Sequence, residues 1–153
     1  MPYSSQIRTS IFETNPFLID KTPTLMEYAA FFGSIDILQY LHTNKAELTE
    51  SIWIYAIHSN NPEVIHFLIE NNNNNNNNVY EDALIEAVKC HHNNVAEFIE
   101  NNLFTQKIDL KEGQSEFNEK FFESVFQSYN YHYFPDNLKI NNSFYYLNRY
   151  YYN

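Results

Sequence analysis

The residues best able to do chemistry are Cys90-His91-His92, with His58 as a further imidazole. Thiolate and imidazole are ligands of zinc, and a cysteine beside a histidine can become an activated nucleophile. Zinc, however, needs about four ligands converging tetrahedrally. Three adjacent residues at the end of a helix diverge, and no second Cys/His pair stands at ligand spacing. No Asp or Asn follows a known local signature for orienting a base toward Cys90. The pattern therefore predicts no metal site and no catalytic residue. Cys90 reads as a small apolar side chain, and His91 and His92 as residues of a turn. Glu63, Glu70, Glu97 and Glu100 could be offered as paired carboxylates, but their helical spacing predicts a solvated face. Phosphate-cradling and nucleotide loops need several glycines, and this chain of 153 residues has two. No cofactor is expected.

The elements that would position these residues come from an internal repeat. With Ala29, Ala56 and Ala87 as anchors, helix-capping types stand five residues earlier: Thr24, Ser51 and Asp82. Apolar pairs follow at Ile37-Leu38, Val64-Ile65 and Val95-Ala96, then the aromatics Tyr40, Phe67 and Phe98. Leu41, Leu68 and Ile99 come next, and Asn44, Asn71 and Asn102 close each copy. Each copy reads as two helices, because apolar residues recur on one face in each half. Met26, Ala29 and Ala30 are one such set; Trp53, Ala56 and Ile57 the second; Leu84, Ala87 and Val88 the third. Thr24 and Glu27 have capping-box spacing, and Asn61-Pro62-Glu63 is a well-formed helix start. The predicted pairs are 23–32 with 34–43, 51–59 with 62–70, and 82–90 with 93–102, joined at Gly33-Ser34, Asn60-Asn61 and His91-His92. The fold class expected is all-α, a solenoid of helix-turn-helix copies sharing one core.

Residues 25–41, Leu25-Met26-Glu27-Tyr28-Ala29-Ala30-Phe31-Phe32-Gly33-Ser34-Ile35-Asp36-Ile37-Leu38-Gln39-Tyr40-Leu41, resemble the ankyrin pattern L-H-x-A-A-x-x-G-H-x-x-V-V-x-x-L. More narrowly, the wording at 27–41, 47–68, 86–103 and 129–138 is similar to Asn- and Tyr-rich ankyrin proteins expanded in some anaerobic protists, a set filed as a domain of unknown function. Three features depart from the family pattern. The anchor spacings are 27 and 31, against about 33 in the family, which implies shortened fingers. Thr22-Pro23 lies two residues early. The second and third copies carry Asn60 and His91 in place of the turn glycine, residues that tolerate the left-handed conformation at some cost.

The resemblance implies a protein-interaction module without catalytic activity, its concave groove lined by the two residues after the helix-one alanines. Carried over position by position, these are Phe31 and Phe32, His58 and Ser59, and Lys89 and Cys90. The pair Phe31-Phe32 is either an exposed aromatic anchor or the floor beneath an N-terminal helix, and the sequence leaves both open. The alternative function is a purely structural piece of a longer repeat array. The partner expected is a protein of unknown identity.

The expected organisation is an N-terminal segment at 1–21 holding part of a preceding helix, three copies at 22–47, 48–78 and 79–103, a polar linker at 104–116, and 117–153. In the last region Phe117, Phe121, Phe122, Val125 and Phe126 fit a degenerate fourth copy. Residues 129–135 read as extended, since Pro135 biases its predecessor away from helix. The stretch 142–147 reads as the first helix of a fifth copy, cut off at the C-terminus, and eight of the thirteen tyrosines lie between 129 and 152. An uncovered aromatic tail of this kind predicts self-association. The eight asparagines at 71–78 are expected to form a loose finger, being too polar to offset the entropy of ordering.

Nineteen acids against nine bases give a formal charge of −10. Such a surface repels phosphate backbones, so no nucleic acid is expected, and the polybasic signal for anionic lipid is missing. No stretch approaches the roughly 18 apolar residues of a spanning helix, and the first eight residues hold no apolar signal core. A cytoplasmic location and no membrane contact are expected.

Overall fold

The computed structural model describes residues 5–8, 10–71, 77–104 and 116–134. They form seven α-helices: α1 Leu25–Phe31, α2 Ile35–Thr43, α3 Ile52–Ser59, α4 Pro62–Asn71, α5 Asn77–Lys89, α6 Asn93–Asn102 and α7 Glu116–Gln127. A 3-10 turn follows at Tyr131–Tyr133. Strand pairing among the described residues is confined to one isolated bridge, Gln6 with Thr24. The expected fifth copy, the C-terminal tail, the middle of the asparagine run and most of the linker lie outside the described residues. The chain divides into two compact units, residues 1–83 and 84–153.

In the first unit α1 packs on α2 and α3, and α3 on α4. The apolar stripe of each helix supplies the core: Met26, Ala29 and Ala30 from α1, Leu38 and Leu41 from α2, Ile52, Trp53, Ala56 and Ile57 from α3, and Val64, Ile65 and Leu68 from α4, all buried. Alanines at the α1 and α3 anchors let backbones approach closely. Gly33 and Asn60 both take the left-handed conformation, at φ 67° and 47°. Asn61 then serves two copies at once. Its Oδ1 accepts from the Glu63 amide at 3.0 Å, capping α4, while its Nδ2 donates to the Gly33 carbonyl at 3.1 Å.

In the second unit His91 turns at φ 59° and Tyr129 at φ 55°. The amide of His92 reaches Ala87 O at 2.9 Å and that of Asn130 reaches Val125 O at 3.0 Å, matching Ser34 to Ala29 at 2.9 Å in the first unit. Val125 thus stands, relative to the turn after α7, where Ala29 and Ala87 stand relative to theirs. The core around α7 is aromatic: Phe117, Phe121, Phe122 and Phe126 are buried, with Phe104 packed 4.8 Å from Phe117.

The closing asparagine of the repeat has a physical role in all three copies. Asn44, Asn71 and Asn102 each donate Nδ2 at 2.8 Å to the carbonyl of Tyr40, Phe67 or Phe98, four residues back. In the first copy this bond adds to the one that the Tyr40 carbonyl already accepts from the Asn44 amide at 3.1 Å, so the side chain fastens the last helical turn.

Four expectations need correction. Helix α5 begins at Asn77, so Asp82 lies inside it and is no cap. The added turn buries Tyr80 edge-on to Trp53, centroids 5.3 Å apart, and tertiary packing of this kind outweighs a weak local stop. For the same reason the asparagine run is not wholly loop, since Asn71 ends α4 and Asn77 opens α5. Ser51 makes no side-chain cap on α3, its hydroxyl being turned to Glu27. Residues 131–133 are a 3-10 turn rather than extended chain; the bias from Pro135 reaches only Phe134, at φ −70° and ψ 120°.

Candidate functional site

The groove positions of the first unit stand at the C-terminal ends of α1 and α3. Phe31 and His58 are brought together, centroids 5.1 Å apart, although 27 residues separate them in the chain. Phe31 is buried, yet Phe32 beside it is 55% exposed. One residue of the pair is therefore floor and the other surface. Phe32 packs against Tyr28 at 4.8 Å and against Phe31 at 5.1 Å, so its ring is held while one side faces water. Ser59 is half-buried and spends its hydroxyl locally, donating to Ala56 O at 2.7 Å and accepting from the Asn61 amide at 3.2 Å. It shapes the turn rather than presenting a free hydroxyl.

What covers Phe31 is Phe17, a residue the sequence reading did not single out. Its ring stacks on Phe31 at 5.7 Å and 9°, meets Tyr55 edge-on at 5.3 Å and lies 3.9 Å from the His58 ring. Residues 15–21 bring it there as a single turn, closed by the amides of Leu18 and Ile19 on Asn15 O at 3.0 and 3.1 Å. The part of a preceding helix expected at 1–21 is not found among the described residues, where 15–21 make only this turn, and no local signal marked Phe17.

In the second unit Lys89 is exposed, with Nζ 3.6 Å from Glu86 on the same helix. Cys90 is half-buried, and burial, joined by the Glu86 carboxylate and only partly offset by Lys89, pushes its thiol up to about 11. At neutral pH it is a thiol, not the thiolate that nucleophilic chemistry needs. His91 and His92 form the turn, and His91 Nε2 stands 2.8 Å from Ser128 O. Of the four glutamates, Glu63, Glu70 and Glu97 are exposed as expected. Glu100 is half-buried, and burial, with Glu97 adding to it, raises its pKa. Glu97 meets His132 at 2.6 Å.

Helix-turn-helix copies with the same left-handed turn and the same closing asparagine define a helical-repeat protein. The family model for ankyrin repeats, in three copies, matches residues 25–111, more than half of the 153. The chain belongs to the ankyrin-repeat family. No curated protein and no solved structure matches it. Among the described residues no helix is long and apolar enough to cross a membrane.

Proposed function

We propose that this chain is a non-catalytic protein-interaction module that binds its partner through the groove positions Phe31, Phe32, His58, Ser59, Lys89 and Cys90. The observation that carries the reading is Phe32, an aromatic ring 55% exposed yet fixed between two others. A rigid aromatic surface of that kind gains contact area at little entropic cost, which is why such residues dominate binding hot spots. Membership of a family built for protein binding supports it. The phrases at 27–41 and 47–68 support the narrower placement among Asn- and Tyr-rich ankyrin proteins. The acidic balance favours a protein partner over nucleic acid or anionic lipid. One cysteine and no disulfide framework suit a reducing cytoplasm.

Peptides selected on the full chain from a random display library test this. Phe32→Asp should weaken the selected binders about tenfold or more, the scale of one hot-spot residue, with the helical circular dichroism unchanged. A selection that yields no binder, or binders indifferent to Phe32, overturns the reading.

A further inference from the structure

The groove already holds an aromatic side chain, and it is the protein's own. Phe31 and His58 come from two successive copies, and with Tyr55 they make a receptacle of three rings around Phe17. Lys21, one turn further along, places Nζ 4.7 Å over the Phe17 ring. The stretch that delivers this pair is a compact unit in itself. Asn15 Oδ1 accepts from the Phe17 amide at 2.9 Å, and Asn15 O closes the turn on Leu18 and Ile19.

We propose that this receptacle is a docking site for a partner segment bearing an aromatic residue and a lysine or arginine one turn later, and that residues 15–21 occupy it as an internal competitor. The proposal rests on the groove reading above and adds to it the chemistry of the partner. Three observations lead to it. The resident turn displays the fit: a ring stacked and edged by three others, with a cation over it, which is the geometry of a cation–π pair. The protein carries −10 in formal charge, so a basic segment arriving from solution is attracted over distance. Finally, the stretch is only partly docked. Leu18 is 2% exposed, whereas Ile19 is 45% exposed, and Ile11 and Phe12 in the chain just before the stretch are 93% and 82% exposed. Large apolar side chains left in water add little to holding the stretch down, which leaves Phe17 and Leu18 as its apolar anchors. A tethered occupant held so lightly competes through its high effective concentration rather than through intrinsic affinity. It sets a threshold that a partner must exceed.

The probe is a fluorescent synthetic peptide spanning residues 13–23, added to the full chain. Phe17→Ala in the chain empties the receptacle, and peptide affinity should rise about tenfold or more over the unmodified chain, as removal of a tethered competitor predicts. The same peptide with alanine in place of its phenylalanine should not bind. Adding His58→Ala to the Phe17→Ala chain should weaken binding about fivefold, within the range of a single well-packed contact. Equal affinity for the two chains, or no binding to a Phe17→Ala chain that retains its helical spectrum, overturns the proposal. Should Phe17→Ala fail to fold, the unmodified chain labelled with 15N decides it. Excess unlabelled peptide should shift the amide signals of residues 15–21 toward random-coil positions, and unmoved signals overturn the competitor. Library binders that depend on Phe32 uphold the groove reading whichever way Phe17 behaves.

Discussion

Glu27 shows what a single side chain can carry. Burial at 5% exposure opposes its ionisation, yet hydrogen bonds from Ser51, Thr24 and Thr49 more than reverse that penalty. Ser51 Oγ and Thr49 Oγ1 donate to Oε1, the latter at 2.8 Å, and the Thr24 amide donates to Oε2 at 2.7 Å. The Thr24 hydroxyl in turn accepts from the Glu27 amide. The net effect is a carboxyl held below its ordinary value. A folded-state pKa below the unfolded one means that the ion stabilises the fold at neutral pH, and that this increment fades as pH falls through the folded value. Glu27→Gln should therefore cost about 2 kcal/mol at pH 7, the range for hydrogen bonds to a charged group. The gap to the unmodified chain, followed by urea unfolding, should begin to close below about pH 4.3. A gap independent of pH would show that the charge contributes nothing. The Thr24–Glu27 half of this network was legible, because capping-box spacing lies within one helix turn. The Thr49 and Ser51 half was not, since those residues meet Glu27 only once α1 and α3 pack, and a local reading makes Ser51 a cap instead. Phe17 escaped notice for a related reason: the rings that hold it, Phe31, Tyr55 and His58, all come from helices remote in the chain.

At the scale of elements, the left-handed turn after each first helix is the shared device, and the residue occupying it sets its cost. Gly33 bears φ 67° without strain, and a Cβ there would meet Asn61 Nδ2 at 3.3 Å, tighter than ordinary contact. Gly33→Ala should destabilise by about 1–2 kcal/mol, the cost of the left-handed region for a residue with a Cβ. Tyr129 holds the equivalent position after α7 at φ 55°, and it is 55% exposed. Tyr129→Gly should thus gain up to about 1 kcal/mol, since strain is removed and little packing is lost. Opposite shifts in urea midpoint for the two variants check the shared turn; shifts of the same sign refute it. The start of α5 permits a sharper test. Tyr80→Ala should cost about 3 kcal/mol, because the ring is buried against Trp53. A helix beginning at Asp82 would leave residue 80 in a loop, where the replacement would be close to neutral. Helix pairs and turn positions were legible because their signals are periodic and local. The start of α5 was not, because it is decided by one long-range aromatic contact.

At the scale of the whole molecule, stability in a repeat protein is a sum over copies and the interfaces between neighbours. Ala56 tests whether that holds here. It is fully buried on α3, the helix packed between α1 and α4. A glutamate at that position would enter the core as an unpaired charge, and nothing nearby is freed to meet it. Ala56→Glu should cost several kcal/mol, on the order of the largest single-residue effects. Nearest-neighbour coupling further predicts where the damage falls. Amide hydrogen exchange should lose protection most in α1–α4, the helices that share this core, while α7 keeps more of its protection. A uniform loss along the chain would mean that the protein opens as one cooperative body and that the nearest-neighbour description fails. Unchanged protection in α3 would be more serious. The alanine anchor would then not face the core, and the register linking Ala29, Ala56 and Ala87 would be wrong.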